Sequence, residues 1–253
     1  MVGDVISSVS EKTTVALIPA RAGSKGLPGK NVRTLLDRPL IAHSFAVAQM
    51  IQSVGLVHVS SDDPRVVAAS LEAGINVGSL RPQELSTDET PMSAVIRYEA
   101  ERLLDEGLAT YSDLLLLLDP TSPIRYPTEI QSALDCLLTT PEAHGIVSVS
   151  APSFNPLWVG VQLSEDQRLI RHPQTLSGYV RRQDVPPYWR INGSFYAWRF
   201  RHALELPDNW IDTGFNLGWE TSDVASHSID TIDDFRLVEA LLTSGIVHLP
   251  WLD

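Results

Sequence analysis

The sequence predicts an α/β fold: a mostly parallel sheet with helices on both faces. Apolar runs of strand length recur at Val15–Pro19, Leu56–Ser60, Leu114–Leu118 and Gly145–Ser150. Segments with helical spacing separate them, and alternation of this kind builds parallel strands joined by crossover helices. The first run also empties into a glycine-rich, basic loop, and ligands of open α/β sheets sit at the carboxyl ends of strands.

After the first strand, Leu40, Ile41, Phe45, Val47, Ala48 and Ile51 recur at the spacing of a helix. Leu56–Ser60 is the next strand, and the acidic pair Asp62-Asp63 follows it. Asp63 precedes Pro64 and reads as a helix N-cap, a structural role, with the helix over Arg65–Ala73 closed by Gly74. Ile75–Leu80 is read as a short strand, Pro91–Glu106 as a helix, Leu114–Leu118 as a buried strand, Glu129–Leu138 as a helix and Gly145–Ser150 as a strand. From Ala151 to Arg190 prolines and aromatics break the pattern, and this stretch is read as an excursion containing one alternating run, Trp158–Leu163. The sheet resumes at Ser194–Ala197, and Asp233–Thr243 is the last helix. The expected organisation is a flexible tail over 1–12 and one domain over 13–253, with 151–190 as its insertion.

The loop after the first strand reads Ala20-Arg21-Ala22-Gly23-Ser24-Lys25-Gly26-Leu27-Pro28-Gly29-Lys30-Asn31. Glycines allow close backbone approach to a ligand, successive N–H groups make an anion-binding concavity, and Arg21, Lys25 and Lys30 suit a polyphosphate. The spacing is neither G-x-x-x-x-G-K-S/T nor G-x-G-x-x-G, and Pro28-Gly29 opposes a helix at that point.

A net charge of −12 over 253 residues argues against a nucleic-acid partner, whose phosphate backbone needs clustered cations. The cations Arg21, Lys25, Lys30, Arg33 and Arg38 nevertheless gather at the opening loop, and a local positive cleft attracts a small polyanion. The run Leu114–Leu118 is too short to cross a bilayer, and Met1–Lys12 lacks a basic-then-apolar leader, so neither membrane insertion nor export is expected. Cys136, the lone cysteine, can form no intrachain disulfide, in keeping with a cytoplasmic location. The histidines are scattered singly, which disfavours a zinc site.

The loop, with Arg81-Pro82, Leu85 and Asp88, Pro120-Thr121-Ser122-Pro123 with Arg125, Arg182-Gln183, Asn192-Gly193-Ser194-Phe195-Tyr196, and Ile229-Asp230-Thr231 with Asp234-Phe235, forms an ordered set. This set resembles the CMP-sialic acid synthetase (acylneuraminate cytidylyltransferase) family from about Thr14 to about Leu242. The resemblance implies a Rossmann-like sheet of the nucleotide-diphospho-sugar transferase type, with a small β-rich insertion that builds a homodimer and reaches the partner's site. It implies transfer of CMP from CTP to the anomeric hydroxyl of a sialic-acid-like nonulosonate, with release of pyrophosphate. Arg21, Lys25 and Lys30 would be catalytic through their charge, and Ala20, Arg21, Gly23, Ser24, Lys25, Asn31 and Arg81 would bind the nucleotide. Arg81 matches the arginine that faces cytosine, the alternative being a solvated surface arginine.

Asp119, Arg182 and Tyr196 would contact the keto sugar acid, with Arg182 near its carboxylate, although its neighbour Arg181 stands as an alternative. Tyr196 serves either the sugar or the core. Magnesium is the implied cofactor. Ser228 replaces the first aspartate of the family's Asp-Ile-Asp pair, so Asp119 and Asp230 are the expected metal carboxylates. Asp119 stands where relatives carry a sugar-binding glutamine, and its alternative role is a hydrogen bond to the sugar or to a turn amide. Asn155 and Trp158 stand where sialic-acid enzymes carry histidine and lysine. These departures imply an acceptor other than N-acetylneuraminate, either a related nonulosonate or an eight-carbon ulosonate. A silent nucleotide binder, suggested by Ser228, and a glycosyltransferase, disfavoured by Lys25 and Lys30, are the competing classes.

Overall fold

The computed structural model describes residues 13–23, 26–172 and 177–252. The strands are β1 (Thr14–Pro19), β2 (Thr34–Leu35), β3 (Arg38–Pro39), β4 (Val54–Ser60), β5 (Asn76–Val77), β6 (Leu114–Leu117), β7 (Gly145–Ser150), β8 (Val161–Leu163), β9 (Leu169–Arg171), β10 (Arg190–Arg199) and β11 (Asn216–Glu220). The helices are α1 (Leu40–Met50), α2 (Pro64–Glu72), α3 (Met92–Asp105), α4 (Pro127–Leu138), α5 (Pro156–Val159), α6 (Phe200–Ala203) and α7 (Ile232–Thr243).

Seven strands form the main sheet in the order β11-β7-β10-β6-β1-β4-β5. All neighbours pair in parallel except β10, which runs antiparallel to β6 and β7. Every residue of β1 and β6 is buried, as strands covered on both faces require. Alternation sorts their side chains. Ala16, Ile18, Leu114 and Leu116 join Ile41 and Phe45 of α1 and Ile130 and Leu134 of α4 on one face. Val15, Leu17, Leu115 and Leu117 meet Ile96 and Leu103 of α3 and Phe200 of α6 on the other. The chain leaves β1 first toward β4 and β5, then returns to place β6 on β1's opposite side. This reversal of strand order opens a crevice at the carboxyl ends of β1 and β6.

Several expectations are corrected. Strand β5 covers only Asn76–Val77 of the stretch Ile75–Leu80. The alternating run Trp158–Leu163 is divided: Trp158 and Val159 belong to α5, and only Val161–Leu163 is strand. Local capping overrides alternation here, because Asn155 accepts a hydrogen bond from the Leu157 N–H and Pro156 occupies the first turn. The strands β8 and β9 make a separate, exposed hairpin. The edge strand β11 escaped the sequence reading altogether. Asp63 does cap α2, accepting from Arg65 N at 2.9 Å.

Arg125, in the loop between β6 and α4, is fully buried. It donates to the carbonyl of Ser194, to Ser44 Oγ at 3.0 Å and to the carbonyl of Asp119 at 2.5 Å. Burial brings its pKa down to about 10, opposed by the charge of Asp119. One guanidinium thus ties β10, α1 and the end of β6 together. Arg125→Met removes the donor to the Ser194 carbonyl and one of the two donors to the Asp119 carbonyl, which also accepts from Ser122 N, and is expected to cost about 3 kcal/mol, measured by urea unfolding.

His43 of α1 is also buried, between Trp251 Nε1 at 3.1 Å and the Leu35 carbonyl at 3.2 Å. The indole N–H donates to Nδ1, so Nε2 carries the proton and the ring is neutral. Burial pushes its pKa down to about 4 from 6.5. The unfolded chain therefore binds this proton at higher pH than the native one. Stability contributed by His43 is present above pH 6.5 and is lost as the pH falls toward 4. Urea midpoints measured across this window should fall more steeply for the wild type than for His43→Asn.

Candidate active site

A cleft of about 490 Å³ opens at the strand-order reversal. One wall is the opening loop with Arg21, Gly23, Lys30 and Asn31, and Arg81 follows β5 beside it. The facing wall holds Asp119, Thr121 and Ser122 after β6, and Asn192, Gly193 and Tyr196 of β10. Ser228 and Asp230 close one end.

The opening loop is held to the far end of the chain. Lys30 Nζ donates to the Ile229 carbonyl at 2.8 Å and to Asp230 Oδ1 at 3.0 Å. Gly26 runs so close that a Cβ would lie 2.3 Å from the Asp230 carbonyl oxygen. Gly29 takes φ +67°, the left-handed turn that lets Lys30–Val32 coil back as a 3₁₀ turn. Asn31 Nδ2 donates to the Arg21 carbonyl at 3.2 Å, which spends one of its donors inside the loop. Ala20 is buried, its N–H on the Ser60 carbonyl at 2.9 Å, and it does not line the cleft. Ser24 and Lys25 lie outside the described residues.

Arg21 pairs with Asp88 at 2.5 Å. Arg81 is buried rather than solvated, and its Nε and Nη2 have no hydrogen-bond partner among the described residues. Burial lowers its pKa, and the charges of Asp62 and Glu99 oppose that shift. Asp62, to which the sequence reading assigned no role of its own, reaches the loop: its Oδ1 accepts from Ala22 N at 2.8 Å. No local pattern signals a contact forty residues away.

On the facing wall, Asp119 Oδ1 accepts from Thr121 N at 3.0 Å, the turn-amide bond anticipated as its alternative role, while its side chain lines the cleft. Ser228 Oγ donates to Thr121 Oγ1 at 3.2 Å. Gly193, at φ +74°, sits where the β10–β7 register shifts between Ile191 and Tyr196. Ser148 patches the broken ladder, accepting from Phe195 N and donating to its carbonyl, each at 3.0 Å. Tyr196 both lines the cleft and stacks on Trp198, with centroids 5.8 Å apart. Burial raises its pKa, and the charge of Asp119 adds to this.

Arg182 is not among the residues lining its own chain's cleft. It donates to the Ser153 carbonyl at 2.9 Å beside Asn155, while Arg181 pairs with Asp184 at 2.8 Å. The cleft therefore gathers Arg21, Gly23, Lys30, Asn31, Arg81, Asp119, Tyr196 and Asp230, but not Ala20 or Arg182. Among the described residues no group of three or more His, Cys, Asp or Glu could hold a metal ion by itself. Gly26→Ala forces the loop away from Asp230, and a calorimetric titration should show weaker binding of inorganic tripolyphosphate, by about tenfold or more.

A family model described as cytidylyltransferase matches residues 15–204. The chain is 32% identical over 229 residues to the CMP-N,N'-diacetyllegionaminic acid synthase of Legionella pneumophila, across 90% of this chain and 95% of that protein. It is 35% identical over 225 residues to the N-acylneuraminate cytidylyltransferase of Escherichia coli, across 88% of this chain but 50% of that protein. In fold it is similar to the solved structure of CMP:2-keto-3-deoxy-manno-octonic acid synthetase complexed with CTP, with TM-score 0.66, 22% identity, and coverage of 92% of this chain and 99% of the other.

Proposed function

The chain belongs to the cytidylyltransferase family, and we propose that it transfers CMP from CTP to the anomeric hydroxyl of a sialic-acid-like nonulosonate, releasing pyrophosphate. The observation that carries this reading is a single cleft with cations on one wall, Arg21, Lys30 and Arg81, and the polar wall of Asp119 and Tyr196 opposite. The nearly full-length match to a legionaminic acid synthase supports a nonulosonate acceptor.

Each wall has a share of the chemistry. The unpartnered Nε and Nη2 of Arg81 suit the acceptor pair O2 and N3 of cytosine; uracil presents an N3–H donor instead. The loop amides, Arg21 and Lys30 receive the triphosphate and balance the charge that grows on pyrophosphate as it leaves. The acceptor hydroxyl attacks the α-phosphorus in line, forming one P–O bond as the bond to pyrophosphate breaks. Asp119 and Tyr196 position the sugar acid.

Asp119 and Asp230 would hold magnesium. Two cleft carboxylates with the hydroxyls of Thr121 and Ser228 nearby form a hard-oxygen donor set, which suits an ion that completes its shell with phosphate and water. When bound, the ion neutralises phosphate charge.

Arg182 would serve the acceptor carboxylate across a homodimer, since it does not line its own cleft. Exposed Val161, Leu163, Leu169, Ile170 and Val180 give the insertion an apolar face that a second copy would cover. Consumption of CTP and the lone, half-buried Cys136 suit a cytoplasmic protein. Asp119, in the place of the sugar-binding glutamine, favours as a second reading an eight-carbon ulosonate acceptor.

Pyrophosphate release from CTP should be assayed with N-acetylneuraminic, legionaminic, pseudaminic and eight-carbon keto acids while magnesium is varied. Turnover is expected with a nonulosonate. Turnover with none of them, or a preference for another nucleotide, overturns the reading. Asp119→Asn is expected to lower kcat about 100-fold and to raise the magnesium needed for half-maximal rate. Wild-type turnover and magnesium dependence in this variant would remove Asp119 from the site.

A further inference from the structure

We infer that Asp62 is a positioning residue that couples the base end of the nucleotide site to its phosphate loop; this rests on the reading of the cleft as a CTP site. Asp62 lies immediately beyond β4, in the crossover to α2. Its Oδ1 accepts the Ala22 N–H at 2.8 Å and stands 3.9 Å from Arg81 Nη2. One carboxylate therefore faces both the opening loop and the buried arginine.

The neighbouring contacts make the link specific. Ser61 Oγ donates to the Ala20 carbonyl at 2.6 Å, and the Ser61 carbonyl accepts the Arg81 N–H at 2.9 Å. The dipeptide Ser61-Asp62 thus holds the loop on one side and both the backbone and the guanidinium of residue 81 on the other. Asp63 is occupied differently: its carboxylate caps α2 and binds the Arg65 side chain, with contacts of 3.0 and 2.8 Å. Two adjacent acids divide the work, one holding the helix and the other the site.

A carboxylate beside a triphosphate loop repels the ligand unless it serves something else. Here it offsets the charge of an arginine whose side chain is only 3% exposed, a charge that burial would otherwise penalise. At 3.9 Å it balances that charge without taking a hydrogen bond from Nη2. The donors stay available to a base while the group stays charged and in place. The Ala22 bond fixes the start of the loop in the same frame, so the base and the phosphates are received at a set separation.

Two variants separate the two contacts. Asp62→Asn keeps an acceptor for Ala22 N–H and removes the charge beside Arg81; Asp62→Ala removes both. Calorimetric titrations with CTP, UTP and inorganic tripolyphosphate read the two ends of the site. The expected result is a preference for CTP over UTP that falls about tenfold in Asp62→Asn, while tripolyphosphate binds this variant as tightly as wild type or tighter. Tripolyphosphate should bind Asp62→Ala about tenfold more weakly than the charge-matched Asp62→Asn. An Asn variant with wild-type base preference, or an Ala variant equal to Asn toward tripolyphosphate, overturns the inference. If Asp62→Ala does not fold, the base preference of Asp62→Asn alone decides. A wild-type protein that binds UTP as tightly as CTP overturns the nucleotide reading itself, and the inference with it; variants that match a CTP-selective wild type overturn only the role of Asp62.

Discussion

Arg125 brings a positive charge into a place without water, and the cleft depends on how that charge is received. Its three partners, the Ser194 and Asp119 carbonyls and the Ser44 hydroxyl, come from β10, from the end of β6 and from α1. Desolvating a guanidinium is expensive unless its donors are matched, so these three elements are held in one arrangement. That arrangement sets where Asp119 leaves the sheet and where β10 passes Gly193. The facing wall of the cleft follows from a contact made beneath it.

The opposite wall obeys a related constraint. Each described cation lining it stands beside a carboxylate: Arg21 by Asp88, Lys30 by Asp230, Arg81 by Asp62. Three like charges gathered on one wall of a cleft would repel one another. The carboxylates offset that repulsion and hold the side chains in position. The three pairs differ in reach, from 2.5 Å for Arg21 to 3.9 Å for Arg81. On the proposed reading the closest pair would be exchanged for phosphate, whereas the loosest leaves its donors unspent among the described residues.

Legibility in the sequence followed the range of the forces involved. The buried strands β1 and β6 announced themselves as apolar runs, because a strand covered on both faces needs nothing else. The loop glycines and the Asp63 cap were readable for the same local reason. β11 was not, since Asn216–Glu220 is a half-exposed edge strand with a glycine at its centre. Its place depends on β7 alone. At Asn155-Pro156 a strong local signal for a helix turn competed with alternation and won. Arg81 and Tyr196 were located by motif, but that one is buried with unspent donors and the other divides its ring between cleft and core needed coordinates. Asp62 was given no role beside Asp63 because its partner Ala22 is forty residues away in sequence, beyond the end of the neighbouring strand. Arg182 matched a substrate contact in sequence yet stands off its own chain's cleft, since the insertion carries it away.

The ammonium of Lys30 has its partners 199 and 200 residues further along the chain. During synthesis the first strands and their crossover helices emerge long before Ile229 and Asp230 do, so the start of the opening loop meets Ser61 and Asp62 well before Lys30 meets its own partners. A chain interrupted before that point keeps the apolar runs of the central sheet and lacks the end wall of its cleft. The bond to Ile229 thus ties the loop of the first strand to a segment 199 residues later, and the end wall of the cleft forms only once that segment is in place.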